Sequence, residues 1–398
     1  MDESFARDVV VVGGGGRVGF PLGLAFADRG LDVVLYDIDR ATVSRIDEGR
    51  PPFAENGAPE VLARVSGRTL RATSDPSCIS TAEHVVVVIG TPVDDHLDPD
   101  PGAVPRAVAE LADHLVDGQI LVLRSTVFPG VTALVERLVA RLEKDVDVAF
   151  CPERIAEGRA LTELYELPQI VAARSDRALD RAAKLFRTLT AEVVPLLPEE
   201  AELAKLFTNT WRYIRFAISN QLFMIANDSG LDFERIRKAL AQDYPRAADL
   251  PGAGFAAGPC LLKDTMQLAA FENHNFALGH AAMMVNEGLP SYVISRLEQR
   301  HDLPSMTVGI LGMAFKAGSD DIRSSLSYKL KRILAFKAGE VLTTDPYVTT
   351  DPELAPLDVV LERSDLLVVG TPHPDYAQLR PHQPTVDIWG LLGGGVQV

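Results

Sequence analysis

Residues 9–37 read VVVVGGGGRVGFPLGLAFADRGLDVVLYD and contain the clearest structural pattern in the chain. The opening valines predict a strand that is buried on both faces of a parallel sheet. Gly14, Gly16 and Gly19 have the G-x-G-x-x-G spacing that lets a pyrophosphate approach the N-terminus of the following helix. A second strand ends at Asp37, where an acid can bind both ribose hydroxyls. Because strand, glycines, helix, strand and acid occur in register, they predict a dinucleotide-binding domain rather than a glycine turn without a ligand.

The same stretch indicates which dinucleotide is bound. Asp37 favours NAD over NADP, because a 2′-phosphate would lie against a carboxylate. Arg40 is close by in sequence and favours the phosphorylated cofactor instead, so the two side chains compete for control of the site. Arg17 and Val18, within the glycine turn, are assigned to the same cofactor site.

Three later strands end in polar residues. In an open parallel sheet, ligands bind beyond the carboxyl ends of the strands. HVVVVIGTPVDD and ILVLRSTVFPG therefore predict two turns that face the cofactor, and the residues assigned to it are Thr91, Pro92, Ser125 and Thr126. In VDVAFCPERIAEG the strand is followed by Glu153, which can act as a base or cap the next turn.

Composition sets the outer limits. The chain has 398 residues, 47% hydrophobic and 24% charged, which is typical of a globular protein with two or three domains. The net charge of −16 disfavours nucleic acid and anionic membranes as partners. No apolar run approaches the ~20 residues that span a bilayer, and the acidic start MDESFARDVVVV is unlike a signal peptide. Three cysteines are too few for a disulfide framework, so we expect a reducing cytoplasm.

Residues 201–228 contain neither glycine nor proline, which predicts one long helix. Side chains three and four positions apart form a stripe along one face, consisting of Lys205, Asn209, Arg212, Phe216 and Asn220. Most of the remaining circumference is apolar, so we expect a buried helix whose stripe faces a cleft or another subunit. A helical lysine is usually a solvated charge, but the Lys-x-x-x-Asn pair on an apolar helix favours a catalytic role.

Residues 251–264 read PGAGFAAGPCLLKD and carry a cysteine after a loop of small residues. Glycine lets a ligand approach the main chain closely, and the stretch ends on Cys260, Lys263 and Asp264. This arrangement indicates a nucleophile held against a substrate. The alternative is a buried structural cysteine after a flexible loop.

The last part of the chain repeats the opening pattern. SMTVGILGMAFKAGSDDIRSSLSYKLKRIL predicts a strand, a glycine turn and an amphipathic helix, and LLVVGTPHPDY at 366–376 resembles VVVIGTPVDD at 86–95. This half lacks the full glycine fingerprint, so we do not expect a second dinucleotide. Lys316 and Arg323 lie at its strand-to-helix turn and are suited to phosphates. A helical stretch with a bend or break at Pro290 precedes it.

These motifs, in this order, resemble the UDP-glucose/GDP-mannose dehydrogenase family of nucleotide-sugar 6-dehydrogenases. The resemblance covers nearly the whole chain and rests on the glycine fingerprint, Gly-Thr-Pro, Arg-Ser-Thr-Val-x-Pro-Gly, Cys-Pro-Glu-Arg, the Lys-x-x-x-Asn helix, the Cys260 loop and AFKAGSDDIRSS. Cys-Pro-Glu-Arg and the pair Trp211-Arg212 are more similar to the N-acetylhexosamine branch than to the glucose branch. The resemblance implies oxidation of a sugar C6 alcohol to a carboxylate with two NAD⁺ and no metal.

The resemblance also implies a covalent mechanism. Cys260 would capture the aldehyde, and the second hydride transfer would leave a thioester, while Lys205 and Asn209 stabilise oxyanions. The chemistry itself favours such an anchor, because a four-electron oxidation at one site would otherwise lose its aldehyde between the two hydride transfers.

Further roles follow from the same resemblance. Asp264 would hold or activate water, and Thr126 with Glu153 would form a second water-handling pair. The implied substrate-binding residues are Glu153, Arg154, Lys205, Asn209, Arg212, Arg246, Phe255, Gly258, Cys260, Phe315 and Lys316. Lys263 and Arg323 join the implied cofactor-binding set.

The predicted fold is α/β, with two Rossmann-like doubly wound parallel-sheet domains joined by a central helical dimerisation region with one long helix. The predicted domains are an NAD-binding domain at 1–198, a helical region at 199–303 and a nucleotide-sugar-binding domain at 304–398. We expect a nucleotide-sugar substrate and a homodimer. The family resemblance places Arg246 in the neighbouring subunit's sugar pocket; the alternative is a solvated arginine in a surface loop.

Two other functions share part of this pattern. A β-hydroxyacid dehydrogenase also pairs an NAD domain with a Lys-x-x-x-Asn helix, but it needs neither a thiol nor residues 305–398. A non-catalytic NAD-dependent scaffold or sensor would not need Lys205, Asn209, Cys260 and Asp264 together. UDP-glucose remains the alternative substrate to a UDP-N-acetylhexosamine.

Overall fold

The computed structural model of the chain describes residues 5–91, 93–94, 96–393 and 398. The chain divides into two compact units, Met1–Thr208 and Asn209–Val398, which are described separately below. Each unit is built around its own sheet, so the predicted α/β architecture with two Rossmann-like sheets is confirmed.

Unit 1 contains an eight-stranded sheet within its described residues. The strands are β1 (Arg7–Val12), β2 (Val33–Tyr36), β3 (Leu70–Thr73), β4 (Ala82–Val87), β5 (Ile120–Leu123), β6 (Asp147–Phe150), β7 (Gln169–Ala172) and β8 (Val193–Leu196). The α-helices are α1 (Gly19–Asp28), α2 (Arg40–Asp47), α3 (Ala58–Val65), α4 (Ala103–Leu111), α5 (Val131–Ala140), α6 (Ala160–Glu166) and α7 (Asp176–Phe186). The strand order is β3-β2-β1-β4-β5-β6-β7-β8.

The β1 strand is buried on both faces, as its valine run predicts. Val9 and Val11 belong to the core that includes the apolar residues of α1, whereas Val10 and Val12 belong to the core beside α4 and α5. Alternate residues of a strand point to opposite faces of the sheet, so helices cover both faces of this sheet. This is the doubly wound arrangement.

The far edge of the sheet departs from a purely parallel pattern. β6 and β7 pair antiparallel, through Phe150 and Ala172, while β7 and β8 are parallel to each other. The remaining strand pairs of the sheet are parallel. The dinucleotide-binding strand order is therefore extended by two reversed strands.

One long helix, α8 (Pro198–Asp228), crosses from unit 1 into unit 2. The prediction of an uninterrupted helix is confirmed, and the helix begins slightly earlier than expected because Pro198 suits the first helical position, where no backbone N–H is needed. Near its start, the buried Glu202 accepts hydrogen bonds from the backbone N–H groups of Gly130 and Thr132, at 2.6 and 2.8 Å. This carboxylate caps the N-terminus of α5.

Unit 2 contains three more helices before its sheet, α9 (Phe233–Ala241), α10 (Leu261–Phe271) and α11 (Ala277–Arg300). A four-stranded parallel sheet follows in the described residues, with the order β10-β9-β11-β12. Its elements are β9 (Thr307–Leu311), α12 (Leu326–Leu334), β10 (Glu340–Thr344), α13 (Leu357–Arg363), β11 (Leu366–Val369) and β12 (Thr385–Val386). Short 3₁₀ helices lie at Pro76–Thr81, Ala112–His114, Leu303–Ser305 and Pro374–Tyr376.

The expected break at Pro290 does not occur, because α11 continues through this residue as one helix. A proline ring removes one helical hydrogen bond, but Pro290 is buried, and the neighbouring Leu289 and Val293 belong to the core that α11 shares with the second sheet. Tertiary packing therefore outweighs the local preference. None of the described helices is long and apolar enough to cross a membrane.

Candidate active site

The glycine turn after β1 has no room for side chains at several positions. Gly13 has a φ of +79°, and a Cβ there would lie 1.9 Å from the Val88 carbonyl oxygen. A Cβ at Gly14 would lie 2.7 Å from the Leu35 Cβ, and one at Gly19 would lie 2.2 Å from the Gly13 carbonyl oxygen. The turn follows β1 where it neighbours β4, which is the switch point at which open α/β sheets bind ligands. The chain's own residues therefore fit a dinucleotide.

The glycine turn orients the Asp37 side chain. Its Oδ2 accepts a hydrogen bond from the Gly15 N–H at 2.9 Å, and its Oδ1 accepts one from the Asp39 N–H at 3.0 Å. The carboxylate is only partly buried, so it can still face a ribose. Arg40 is exposed as the first residue of α2.

The G-x-G-x-x-G template does not include three residues that this geometry adds. Gly13 is required by its positive φ, and Gly15 supplies the N–H that holds Asp37. The run of four glycines at residues 13–16 is the sequence feature that indicates Gly13 and Gly15. Ile38 is 84% exposed beside the acid and offers an apolar surface suited to the flat face of adenine.

Cofactor choice gives the first prediction. The protein should use NAD⁺ with a kcat/KM at least about tenfold above that for NADP⁺, because a 2′-phosphate beside the Asp37 carboxylate is electrostatically unfavourable. Asp37→Ser should lower that ratio markedly. Arg40→Ala is the matched control and should leave it nearly unchanged. If instead Arg40→Ala changes the ratio more than Asp37→Ser does, the arginine controls cofactor choice.

The ends of β4 and β5 are joined by side-chain hydrogen bonds. The Thr91 hydroxyl donates to the Thr126 carbonyl oxygen at 2.7 Å, and the Ser125 hydroxyl accepts from the Ile89 N–H at 2.8 Å. Three of the four residues assigned to these turns are thus brought together at one edge of the sheet. The fourth, Pro92, lies outside the described residues.

Arg17 and Val18 have different positions in the glycine turn. Val18 is the N-cap residue of α1. The Arg17 guanidinium lies 4.8 Å from the centre of the Phe53 ring and forms an ion pair with Glu157 at 2.5 Å. Arg17 therefore links the phosphate-binding turn to the segment that follows β6.

Glu153 lies in a buried network at the end of β6. Its Oε1 accepts from the backbone N–H groups of Arg154 and Ile155, at 2.6 and 2.9 Å. Its Oε2 forms a bidentate ion pair with Arg124, in which the Nε–Oε2 distance is 2.9 Å. Donors from the protein therefore occupy both oxygens of this carboxylate. The geometry thus favours the capping role over the base.

Arg124 was not predicted from the sequence, although its side chain is fully buried. Besides Glu153, it donates to the Cys151 carbonyl oxygen and to Gln169 Oε1, both at 3.0 Å, and it lies 4.8 Å from the centre of the Phe186 ring. The Arg154 guanidinium donates to the Pro168 carbonyl oxygen.

Lys205 lies on α8 and is 9% exposed. Within the described part of its unit, no carboxylate forms an ion pair with it. A buried ammonium without a counter-charge is costly, which points to a negatively charged group supplied by a ligand. This burial argues against the alternative of a solvated lysine.

Unit 2 brings four of the predicted residues together at the start of α10. Cys260 is the exposed N-cap residue of this helix, and its carbonyl oxygen accepts from the Asp264 N–H at 2.9 Å. Asp264 is fully buried; its Oδ2 accepts from the Asn209 amide at 2.5 Å, and its Oδ1 lies 3.1 Å from the Lys263 ammonium. The positive end of the helix dipole also favours an anion here.

The other two cysteines are poor nucleophiles. Burial raises the pKa of the Cys151 thiol to about 12, and burial together with the charge of Asp75 raises the pKa of the Cys78 thiol to about 12. Since the thiolate is the nucleophile, these environments disfavour both. Cys260 is the exposed member of the three, which argues against the alternative of a buried structural cysteine.

The small-residue loop before Cys260 is held by buried asparagines. Asn220 exchanges two hydrogen bonds with Gly254, at 3.0 and 2.9 Å, and donates to Asn286 at 2.9 Å. Both asparagines have no exposed surface. Asn220 therefore anchors the loop rather than facing a cleft with the rest of the predicted stripe, whereas Arg212 is exposed.

The same loop packs closely against the second sheet's residues. Gly258 has a φ of +102°, and a Cβ there would lie 2.6 Å from the Phe315 ring, so only glycine fits. Phe255 is buried edge-to-face on Trp389, with ring centres 6.3 Å apart. The side chain of Phe255 is used in this packing. Through Gly258 and Phe315, the thiol loop contacts the turn after β9.

Lys316 and Arg323 lie on the turn after β9, as predicted. Arg323 is exposed and pairs with Asp321 through Nε and Nη2, at 3.0 and 2.6 Å. Lys316 is half-buried. Arg246 is exposed in the turn after α9, where it donates to the Tyr244 hydroxyl at 3.0 Å and stacks on its ring.

Comparison with known proteins gives one consistent family. The sequence profiles of the UDP-glucose/GDP-mannose dehydrogenase family match as the NAD binding domain over residues 7–190, the central domain over 199–288 and the UDP binding domain over 309–392.

Individual relatives extend over most of the chain. It is 32% identical to the UDP-N-acetyl-D-mannosamine dehydrogenase of Pyrococcus horikoshii, with 92% of this chain and 90% of that protein covered. It is 31% identical to a UDP-glucose 6-dehydrogenase of Haloferax volcanii, with 92% and 91% covered. The solved structure of the Pyrococcus horikoshii UDP-D-ManNAc dehydrogenase superimposes with a TM-score of 0.87 at 29% identity, covering 94% of this chain and 91% of that chain.

Proposed function

Because the chain belongs to the UDP-glucose/GDP-mannose dehydrogenase family and is an NAD-dependent nucleotide-sugar dehydrogenase, we propose that it oxidises the C6 alcohol of a UDP-N-acetylhexosamine to a carboxylate through a thioester on Cys260. One observation carries this proposal: the exposed thiol at the start of α10 beside the buried Asn209–Asp264 pair and the partly buried Lys263. We place the reaction in the cytoplasm, where reducing conditions keep the thiol available.

The reaction has two oxidations and one hydrolysis. The glycine turn would hold NAD⁺, and two successive NAD⁺ molecules would act as hydride acceptors. C6 loses a hydride and its hydroxyl loses a proton as the alcohol becomes an aldehyde, and the same loss occurs again as the thiol adduct becomes a thioester. Between these events the Cys260 sulfur adds to the aldehyde carbon, so the reactive carbonyl cannot leave. Water then adds to the thioester, the C–S bond breaks, and the products are the carboxylate and the thiol.

The residues around Cys260 have complementary tasks. Asn209 donates one amide N–H to Asp264, and we assign its second N–H to the oxyanion that forms on C6. Lys205 supplies the positive charge for the same oxyanion. Asp264 accepts from Asn209 and lies beside Lys263, so it orients both donors and holds the hydrolytic water. Thr126 and Glu153 remain the proposed second water-handling pair.

The nucleotide half of the substrate is assigned to unit 2. Lys316 on the turn after β9 supplies positive charge for the diphosphate, and Gly258 and Phe315 form the adjoining wall. The proposed sugar contacts from the remaining chain are Arg154, Arg212 and Arg246. Lys263 and Arg323 complete the proposed cofactor contacts.

The sugar is tested with a panel. The two curated relatives act on different sugars at nearly equal identity, so UDP-glucose is the second candidate. UDP-N-acetylmannosamine, UDP-N-acetylglucosamine, UDP-N-acetylgalactosamine, UDP-glucose and GDP-mannose should be compared by kcat/KM for acid formation. We expect the highest value for one of the N-acetylated UDP-sugars; a higher value for UDP-glucose would overturn that assignment.

We propose a homodimer that uses α8 as part of its interface. Large apolar side chains are exposed along this helix, at Phe207, Trp211, Ile218, Leu222 and Ile225. Their spacing of three, four and seven residues puts them on one side of the helix. A second copy covering this stripe would remove it from water, since soluble proteins rarely leave contiguous apolar patches open.

Arg246 gives the prediction that tests this assembly. If Arg246 acts in the partner's site, inactive Arg246→Ala and inactive Cys260→Ala chains should complement each other after subunit exchange. An equimolar mixture would regain about a quarter of wild-type activity, because half the dimers are hybrids with one intact site. Mass spectrometry confirms the hybrids. Hybrids without activity would assign Arg246 to its own chain or to a solvated surface loop.

A further inference from the structure

A second acid lies where Asp37 lies in the first unit, directly after the second strand of its sheet. This residue is Asp345, at the end of β10. Asp37 is partly exposed, but the Asp345 side chain has no exposed surface. The two equivalent positions therefore differ in what the carboxylate can reach.

The Asp345 carboxylate is fully engaged by its own chain. Its Oδ2 accepts from the N–H groups of Met313 and Ala314, at 2.7 and 2.9 Å, on the turn after β9. Its Oδ1 accepts from the N–H groups of Tyr347 and Val348, at 2.8 and 3.0 Å. Each Asp345 oxygen takes two backbone donors and the side chain is fully buried, whereas each Asp37 oxygen takes one and that residue is partly exposed. Asp345 therefore does not offer a ribose the acceptor that Asp37 offers.

His373 supplies a fifth donor and a second support for the same turn. Its side chain is fully buried, and its Nε2 lies 3.0 Å from Asp345 Oδ2. Its Nδ1 accepts from the Gly318 N–H at 3.1 Å, so the ring hydrogen is on Nε2 and is donated to Asp345. Burial raises the pKa of the Asp345 carboxyl, but the hydrogen bond from His373 and those from the backbone N–H groups bring it below its usual range.

The turn between Asp345 and His373 contains the residues assigned to the nucleotide. Residues 313 and 314 are held at one end and Gly318 at the other. The Thr371 hydroxyl also donates to the Ala314 carbonyl oxygen at 2.5 Å. Between these anchors are Lys316 and Phe315, whose ring is in contact range of Gly258 in the thiol loop.

We propose that Asp345 and His373 are a positioning pair that fixes the 313–318 turn for the nucleotide of the substrate. This rests on the proposed function, in which the turn binds a uridine diphosphate. Neither side chain touches the ligand. The pair acts through the backbone of the turn. The acid after the second strand therefore positions a turn in unit 2, whereas the equivalent acid in unit 1, Asp37, can bind a ribose.

The test measures UDP and NAD⁺ binding separately, by calorimetry on the full chain. His373→Phe keeps an aromatic ring beside Tyr347 and Tyr376 but leaves the Gly318 N–H without its acceptor. It should raise the Kd for UDP at least about tenfold while the Kd for NAD⁺ stays within about twofold. Tyr376→Phe is the matched control, because the Tyr376 hydroxyl donates a long hydrogen bond, 3.4 Å, to the Thr344 carbonyl oxygen, which is not part of the turn. It should leave both values nearly unchanged.

A conservative pair of variants separates positioning from general packing. His373→Asn keeps an acceptor near the position of Nδ1, whereas His373→Gln extends its amide toward Asp345 instead. The asparagine variant should bind UDP more tightly than the glutamine variant, which also decides the matter if His373→Phe does not fold. Equal UDP affinity in His373→Phe and Tyr376→Phe, or in the asparagine and glutamine variants, would overturn the pair's role. A wild-type chain that binds no UDP would overturn the proposed function itself.

Discussion

Replacing Cys260 with serine is expected to lower the steady-state rate of acid formation by at least about a thousandfold, the scale on which removal of a nucleophile acts. The reason is chemical, because an ester through serine would form or hydrolyse slowly compared with a thioester. The Kd for NAD⁺ should stay within about twofold, since Cys260 lies outside the glycine turn that holds the dinucleotide. The rate is measured by chromatography of the nucleotide-sugar acid.

The matched control for this variant is Cys78→Ser, which makes the same atomic change at a partly buried thiol in unit 1. It should keep most of the wild-type rate. Near-normal turnover in Cys260→Ser would contradict the covalent mechanism. A loss of NAD⁺ binding in the same variant would show that the change acts through folding instead.

Removing the buried Arg124 should destabilise the first unit strongly. Arg124→Met leaves the Glu153 carboxylate buried without its guanidinium partner, which costs about 3–5 kcal/mol. That corresponds to a fall in the unfolding midpoint on the order of 10 °C. Thermal unfolding followed by circular dichroism measures the change in the midpoint. The Kd for NAD⁺ shows whether the glycine turn is still intact.

Arg64→Met is the control for Arg124→Met, because the Arg64–Asp28 pair is at the surface with the arginine side chain 57% exposed. Such pairs contribute about 0–1 kcal/mol. The double variant Arg124→Met/Glu153→Gln should recover part of the loss, because it removes the uncompensated charge. Equal midpoints for Arg124→Met and Arg64→Met would contradict the structural role of the Arg124–Glu153 pair.

The sequence predicts the parts of the fold that local pattern specifies. The β1 valines, the glycine turn and Asp37 lie within one short stretch, and their spacing is set by strand and helix geometry. The long α8 is equally local, because neither glycine nor proline interrupts it. These features are observed where the pattern places them.

Other features depend on residues far apart in the chain. The reversed β7 and β8 are short strands whose direction is set by their partners rather than by their own sequences. Arg124 meets Glu153 and Gln169 only after three strands have assembled. The turn after β9 likewise depends on Asp345 and His373. Both residues lie later in the chain, beyond α12 and β10.

Local propensity also gave two incorrect expectations. A break of α11 at Pro290 was one expectation, yet the helix continues through this residue because the surrounding core holds it. Asn220 was expected, from its spacing alone, to face a cleft or another subunit with the rest of the stripe, although its amide holds Gly254. Periodicity identifies the residues that share a helix face. It does not show whether those residues contact a loop of the same chain or a ligand.

The central claim is a four-electron oxidation at one thiol. The most direct measurement is the ratio of NADH formed to nucleotide-sugar acid formed, with free aldehyde trapped and quantified in the same reaction. The covalent mechanism at Cys260 predicts two NADH per acid and almost no released aldehyde. One NADH per sugar consumed, with the aldehyde released as the product, would contradict it and return the chain to the single-hydride chemistry of a β-hydroxyacid dehydrogenase.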